Sequence, residues 1–326
     1  MIILTNFARF PLRWRAADGT AGESRIFASA DEFLNAAGQQ PEAILLTNCD
    51  PALTFRLARR LWFRKRPALV AVDLVLRRPR SLRGGLLISW KRLLLRRVDH
   101  FIHYFSDVRG YEKTFGIGPD RSSFIPFKAN LYDRDVQIES WEGEYVLCAG
   151  RTLRDYDSFF DAMESLPYPA VISRPNFELM REHGARFSRR LEDLPNNVRV
   201  VDDDGSDQAM ANLLRGAKMV VVPILRESMA ASGCSTCLNA MLFAKPVIGT
   251  EGPGFSDIFH NGEVLCVPPE DAAALREAIR RMWEDVELRD RIAAAGHQYG
   301  LMAGGEQQLF QRVIDRVVEW GRGRDA

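Results

Sequence analysis

Short apolar runs rich in Val, Ile and Leu recur along the chain, each followed by enough residues for a helix. The first series is IILT at 2–5, AILLT at 43–47, ALVAV at 68–72, HFIHYF at 100–105 and SSFIPF at 122–127. A strand that is apolar at every position is buried on both faces, as in a parallel sheet covered by helices on both sides. The pattern predicts an α/β domain over residues 1–135. The chain turns polar over 128–143, and a second series follows: YVLCAG at 145–150, AVISR at 170–174, NVRVVDDD at 197–204, KMVVVPIL at 218–225, KPVIGT at 245–250 and GEVLCVPP at 262–269. Between these strands, DSFFDAMESL and DAAALREAIRRMWEDVELRDRIAAAG repeat apolar residues at helical spacing. The second domain is expected over 136–305, giving two tandem Rossmann-like, doubly wound domains facing a cleft. A last helix over 306–326 sets Leu309, Phe310, Val313, Val317 and Trp320 on one face. It comes after the second domain's strands are used up and is expected to pack back on the N-terminal domain.

Composition narrows the class. The chain has 326 residues, 46% of them hydrophobic and 27% charged, which excludes a disordered, collagenous or coiled-coil protein. Five scattered Cys do not read as a disulfide framework and point to a reducing compartment. With no targeting peptide and no run of about 20 apolar residues, the expected location is the cytoplasm.

The net charge of +1 exerts no global pull, but the charge is unevenly distributed. Residues 51–98 hold 14 Lys and Arg against the single acid Asp73, so the remainder of the chain is acidic. Within that segment LRGGLLISWKRLLLRR interleaves Leu, Ile and Trp with cations, the composition of a helix that lies in an anionic membrane surface. Residues 77–97 are therefore the expected contact with the inner face of a membrane. The segment has no aromatic stacking platform for bases, so nucleic acid is not expected as a partner.

The chemistry concentrates at strand ends of the second domain. Ligands of open α/β sheets collect at the carboxyl ends of strands, where helix N-termini present unpaired N–H groups to phosphate. Ser232, Gly233, Cys234, Ser235 and Thr236 follow the strand ending near Leu225 and precede a helix predicted from about Cys237 to Phe243. Glycine there lets a diphosphate approach the backbone, and Ser235 and Thr236 can cap the helix or donate to phosphate oxygens. A second such turn, Gly150-Arg151-Thr152-Leu153-Arg154, follows the domain's first strand. Arg151 and Arg154 could clamp a diphosphate as fixed cations.

From about Tyr145 to Gly296 the chain resembles the donor-binding domain of the GT-B glycosyltransferases, particularly retaining family 4. The resemblance is carried by CAGRTLRDYDSFFDAM, the spacing to VVVP, and LNAMLFAKPVIGTEGPGFSDIFHNGEVLCVPPEDAAALREAI. It implies transfer of a sugar from a nucleotide diphosphate donor to a lipid-linked or glycan acceptor, with neither metal nor cofactor. The implied diphosphate site comprises Gly150, Arg151, Arg154, Gly233, Cys234, Ser235 and Thr236. The family's E-x7-E motif is degenerate here: the Glu that holds the ribose aligns with Asn239, and the Glu that touches the donor sugar aligns with Ala231. Glu227, four residues earlier, is the candidate substitute for the sugar contact. Arg174, at the end of AVISR, is a candidate for the nucleobase. In the first domain Asp73 ends the run VAVD and is the candidate base or acceptor-orienting group, with neighbouring arginines expected to lower its pKa. Two other outcomes remain open: a non-catalytic binding subunit of the same fold, suggested by Ala231 and Asn239, and a sugar-nucleotide epimerase.

Three further patterns carry less. Asp202-Asp203-Asp204 reads as a solvated turn rather than a metal site. Cys234 and Cys237 form a lone C-x-x-C without the second ligand pair that zinc needs. Gly116-Ile-Gly118 lacks the rest of a dinucleotide fingerprint.

Overall fold

The computed structural model describes all residues except 63–66, 79–81, 139–142 and 326, and the side chains of 82–84, 86, 324 and 325 are likewise left undescribed. The chain divides into two compact units, one made of Met1–Pro126 with Gln307–Ala326, the other of Phe127–Glu306.

The first unit holds β1 (Ile2–Thr5), β2 (Arg13–Arg15), β3 (Ala21–Ile26), α1 (Ala30–Gln39), β4 (Ile44–Asn48), α2 (Pro51–Arg60), β5 (Ala68–Val72), α3 (Leu82–Leu95), β6 (His100–His103), α4 (Arg109–Phe115) and β7 (Ser122–Phe124). Its sheet runs β2-β3-β1-β4-β5-β6-β7, parallel throughout except for the β2–β3 pair. Leu69, Val70, Ala71 and Val72 of β5 are almost wholly buried, as a central parallel strand under two helix layers requires. The β2–β3 hairpin is absent from the apolar pattern because its strands are short and polar. Its one cue was Asp18-Gly19, where Gly19 takes a left-handed turn with φ of 88°.

The second unit holds β8 (Tyr145–Cys148), α5 (Tyr156–Met163), β9 (Ala170–Ser173), α6 (Phe177–Glu182), β10 (Val198–Val201), α7 (Asp207–Gly216), β11 (Ala217–Val222), α8 (Cys234–Leu242), β12 (Val247–Thr250), β13 (Leu265–Val267), α9 (Ala272–Glu284) and α10 (Val286–Ala303). Its sheet, in the order β10-β9-β8-β11-β12-β13, is entirely parallel. The long helical stretch after β13 breaks into α9 and α10 because Asp285 leaves helical geometry and caps α10, accepting the N–H of Leu288.

The last helix, α11 (Glu306–Asp325), lays its apolar face on the first unit. Phe310 meets Phe7 and Phe10 with ring centres 5.6 and 5.2 Å apart, and Trp320 stacks on His100 at 5.5 Å. Asp315 accepts the backbone N–H of Ala17, and Gln311 donates to the carbonyl of Arg15.

β6 carries two buried imidazoles. His100 hydrogen-bonds Ser123 at 2.7 Å and His103 pairs with Ser122 at 3.3 Å. Burial pushes His100 down from 6.5 to about 4, and His103 down to about 3. The unfolded chain accepts these protons more readily than the folded one. Stability is therefore complete above about pH 6.5 and drains as pH falls toward 4. A loss of several kcal/mol across this range is expected from the two shifts together, at about 1.4 kcal/mol per pKa unit. Melting curves across this range should follow that slope, and His103→Leu should flatten it.

Candidate functional site

The carboxyl edge of the second sheet is built around one side chain. After β8 the backbone turns through Gly150, with φ of 102°, and Leu153, with φ of 49°, and then runs beside the segment that follows β11. Leu225 N–H bonds Leu153 O, Asp155 N–H bonds Pro223 O, and Arg154 pairs with Ile224 as an isolated bridge. The two loops singled out in the sequence are thus laced together.

Arg154 lies where they meet, with only 1% of its surface exposed. Its Nε donates to Ala149 O at 2.9 Å, Nη1 to Thr152 O at 3.4 Å and Nη2 to Thr236 Oγ1 at 3.0 Å. All three acceptors are neutral oxygens. Burial lowers its pKa from the ordinary arginine value, yet a guanidinium stays protonated in such a setting. The result is a buried positive charge whose hydrogen bonds reach no carboxylate, next to the start of α8.

The glycines exist to accommodate it. A Cβ at Gly150 would lie 2.5 Å from Arg154 Nη2, and one at Gly233 would lie 2.7 Å from Nη1 and 2.6 Å from Val222. Gly233 also has φ of 90° as the N-cap of α8. That helix begins three residues before the predicted start, so Cys234, Ser235 and Thr236 form its first turn and direct their N–H groups outward along the positive helix end.

Lys128 and Asn130 are residues that sequence reasoning did not single out. Lys128 donates to Asn130 Oδ1 at 2.9 Å, and Asn130 donates to Ser235 Oγ at 2.8 Å, bringing a further cation toward the helix start. Nothing in their local pattern marks them, since they sit in the polar stretch between the two strand series.

The other expected contacts are arranged differently. Arg151 is exposed at the mouth of the turn. Asn239 is buried and accepts the N–H of Leu131 at 3.1 Å, so its Oδ1 staples the 129–131 segment to α8 instead of waiting for a ribose. Arg174 is exposed and paired with Asp202. Glu227 is half-buried on the loop between β11 and α8. Asp203 and Asp204 accept the N–H groups of Gly205 and Ser206, which closes the turn. Cys234 and Cys237 are buried, and burial holds the Cys237 thiol well above its ordinary range, so it is not a nucleophile.

In the first unit Asp73 follows β5 in a left-handed conformation, with φ of 47°. The expectation of a lowered pKa is corrected. Its carboxyl is pushed up from 3.8 to about 6 by burial, partly offset by a hydrogen bond from the Cys49 thiol. The neighbouring Arg77 and Arg78 are exposed, and among the described residues no arginine contributes to the shift.

The basic segment is also divided. Arg64, Lys65, Arg66 and Arg80 lie outside the described residues, as does the side chain of Arg83. Arg92 caps the end of α4 through the carbonyls of Lys113 and Thr114, and Arg97 bonds Trp62 O at 2.8 Å. Leu94 and Leu95 of α3 are buried. Leu87, Trp90 and Leu93 remain on its exposed side, with exposures of 57%, 52% and 38%, near exposed Arg96. No described helix is long and apolar enough to cross a membrane.

Residues 182–299 match the family profile described as glycosyl transferases group 1. That stretch contains α8, Gly233 to Thr236 and the loop before them. No curated protein matches the chain by sequence. Among solved structures, the Anabaena protein Alr3699/HepE, in complex with UDP and glucose, is similar with a TM-score of 0.63 at 14% identity, over 89% of this chain and 80% of that one. Sucrose-phosphate synthase from Thermosynechococcus elongatus has a TM-score of 0.63 at 15% identity, over 99% of this chain and 89% of its own. An α,α-trehalose-phosphate synthase (UDP-forming) from Burkholderia vietnamiensis has a TM-score of 0.59 at 13% identity, over 89% and 75%. These likenesses establish the fold, two parallel-sheet α/β units of the GT-B glycosyltransferase type.

Two substitutions test the buried-cation architecture. Gly233→Ala forces a Cβ against Arg154 and Val222 at a left-handed position and should destabilise the second unit by roughly 1–3 kcal/mol. Arg154→Met leaves Thr236 and the Ala149 carbonyl without their donor and should cost a similar amount. Chemical denaturation reads both, and a wild-type midpoint in either variant would contradict the arrangement.

Proposed function

We propose that this chain is a glycosyltransferase that moves a sugar from a nucleotide diphosphate donor to an acceptor carried by the first unit. The observation that carries the reading is Arg154, a buried cation with neutral partners beside the first turn of α8. A diphosphate at that turn would meet the N–H groups of Cys234, Ser235 and Thr236, the hydroxyls of Ser235 and Thr236, and the field of Arg154. Arg151 and Lys128 would close over it from solvent. As the bond to the sugar breaks, negative charge grows on the departing diphosphate, and fixed cations and helix N–H groups stabilise it without a metal or cofactor. Glu227 is the candidate for the donor sugar and Arg174 for the base. Because HepE is described with UDP, UDP is the first nucleotide to try.

The exposed Leu87, Trp90 and Leu93 of α3, in a segment of the chain that also carries the exposed Arg77, Arg78 and Arg96, favour an acceptor held at an anionic membrane surface, on the cytoplasmic side. Asn239, committed to Leu131, favours one competing reading, a binding subunit that has lost transfer.

UDP should raise the melting temperature, and Arg151→Ala, an exposed substitution that leaves the fold intact, should weaken that rise by about tenfold in apparent affinity, the scale of one charge-assisted contact. No response to UDP, GDP or ADP would sink the donor site. Nucleotide binding without release of UDP from UDP-glucose would favour the binding subunit. Sedimentation with phosphatidylserine vesicles should fall as salt rises and drop further in Trp90→Ala. Indifference to vesicles at low salt would remove the membrane from the reading.

A further inference from the structure

Glu270 follows β13 and directly precedes Asp271, the cap of α9, and its backbone is left-handed, with φ of 61°. That region costs an L-residue energy, and residues held in it collect where the surrounding structure has a use for them. The Glu270 carboxylate lies between two arginines. Its Oε1 accepts from Nη2 of Arg186 at 2.8 Å, and its Oε2 faces Nε of Arg226 at 3.4 Å. Arg226 also donates from Nη2 to the Pro269 carbonyl at 2.7 Å, so it grips the backbone and the side chain of the same turn.

Each arginine belongs to a different segment of the carboxyl edge. Arg186 N–H bonds Arg154 O at 2.8 Å, its carbonyl accepts the N–H of Tyr156 at 3.0 Å, and its Nη1 lies 3.9 Å from the buried carboxylate of Asp155. Arg226 opens the loop between β11 and α8, directly after Leu225, whose N–H reaches Leu153 O. From there the loop closes on itself. Ser228 N–H bonds Leu225 O at 3.0 Å, the Ser228 and Ser232 hydroxyls are 3.0 Å apart, and Ser232 N–H bonds Ala230 O at 2.7 Å, one residue before Gly233. Glu270 thus straps together segments that follow β8, β11 and β13, across the place between β8 and β11 where strand order reverses and ligands of such sheets bind.

Folding stability does not account for the strap. The side chains of Arg186, Arg226 and Glu270 are 45%, 66% and 27% exposed, and ion pairs in such settings add little to stability, while the left-handed backbone opposes it. What the pairs do fix is position. Arg226 is held at one end of the loop and Gly233 at the other, and Glu227 is the residue next to Arg226.

We propose that Glu270 is a positioning residue for the donor: through Arg226 it sets the loop that carries Glu227, and through Arg186 it ties that loop to the segment of Arg154. The inference rests on the transferase reading above and deepens it. Residues on a loop recognise a sugar only if the loop is already in place when the donor arrives, and a strap anchored on two neighbouring segments supplies that preorganisation. The diphosphate meets the start of α8 and is served by Arg154 and Arg151, so the strap bears on the sugar more than on the nucleotide.

The test compares UDP with UDP-glucose. By calorimetry, Glu270→Gly should weaken UDP-glucose several-fold while leaving UDP close to wild type, and the KM for UDP-glucose in UDP release should rise by the same factor. Glycine relieves the left-handed backbone, so the melting temperature should hold or rise. Arg226→Gln should reproduce the loss, and Glu270→Gln combined with Arg226→Gln should be no worse than the more affected single variant, as expected of two groups that act through one contact. Hydrogen exchange at the amides of Ser228 and Ser232 should be several-fold faster in Glu270→Gly. Equal weakening of UDP and UDP-glucose, additive losses in the double variant, unchanged exchange at Ser228 and Ser232, or a lowered melting temperature in Glu270→Gly would each overturn the assignment. If the wild type binds neither UDP nor UDP-glucose, the transferase reading fails, while exchange and melting still judge the strap.

Discussion

A guanidinium buried without a carboxylate needs a reason, because the protein forgoes the hydration of a full charge and recovers only neutral hydrogen bonds. Arg154 is in that position, and much of the second unit's carboxyl edge is shaped to keep it there. Gly150 and Gly233 leave room on either side of it, Tyr156 ties the Gly150 carbonyl at 2.7 Å, and the bridge to Ile224 joins the two loops. Each of these would be unnecessary around a leucine. The arrangement becomes economical when an anion supplies the missing charge from solvent, and the N-terminus of α8 is where an anion's oxygens would find donors.

The first unit handles the opposite charge with the same devices. Asp73 is a carboxyl in a setting that opposes ionisation, held by a left-handed backbone and by a thiol that softens the opposition without neutralising it. Burial thus acts in opposite directions on the two sites. It preserves an uncompensated cation in one, since arginine does not give up its proton, and brings an acid toward neutrality in the other. Both effects depend on backbone geometry at strand ends, where parallel sheets converge their chemistry.

The strand rhythm made the architecture legible, because parallel strands buried on both faces are continuous apolar words that few other structures require. It also marked Gly233 to Thr236 as a turn into a helix, although α8 begins three residues before the expected start. The hairpin at 13–26 escaped because edge strands with polar faces lack that signature. The lowering expected for Asp73 failed for a different reason: proximity in sequence to fourteen cations says nothing about where they lie in the fold, and Arg77, Arg78 and Arg96 are exposed while Arg92 and Arg97 serve carbonyl groups. Lys128 was invisible because its relevance arises from a chain of two hydrogen bonds to Ser235 across more than a hundred positions.

The neutral residues at 231 and 239 bear on the same electrostatic balance. Ala231 and Asn239 place no negative charge on the loop and helix around the start of α8, and Asn239 turns its carbonyl inward to Leu131. With no acid at either position, the positive potential of Arg154, Lys128 and the helix start meets less opposition, which on the proposed reading strengthens attraction for a phosphate-bearing ligand. On the proposed reading, selectivity for the base and sugar then falls to other positions on the strand edge, such as Arg174 and Glu227, and to shape. On that reading the start of α8 is better furnished to hold a diphosphate than to recognise, by charge, what is attached to it.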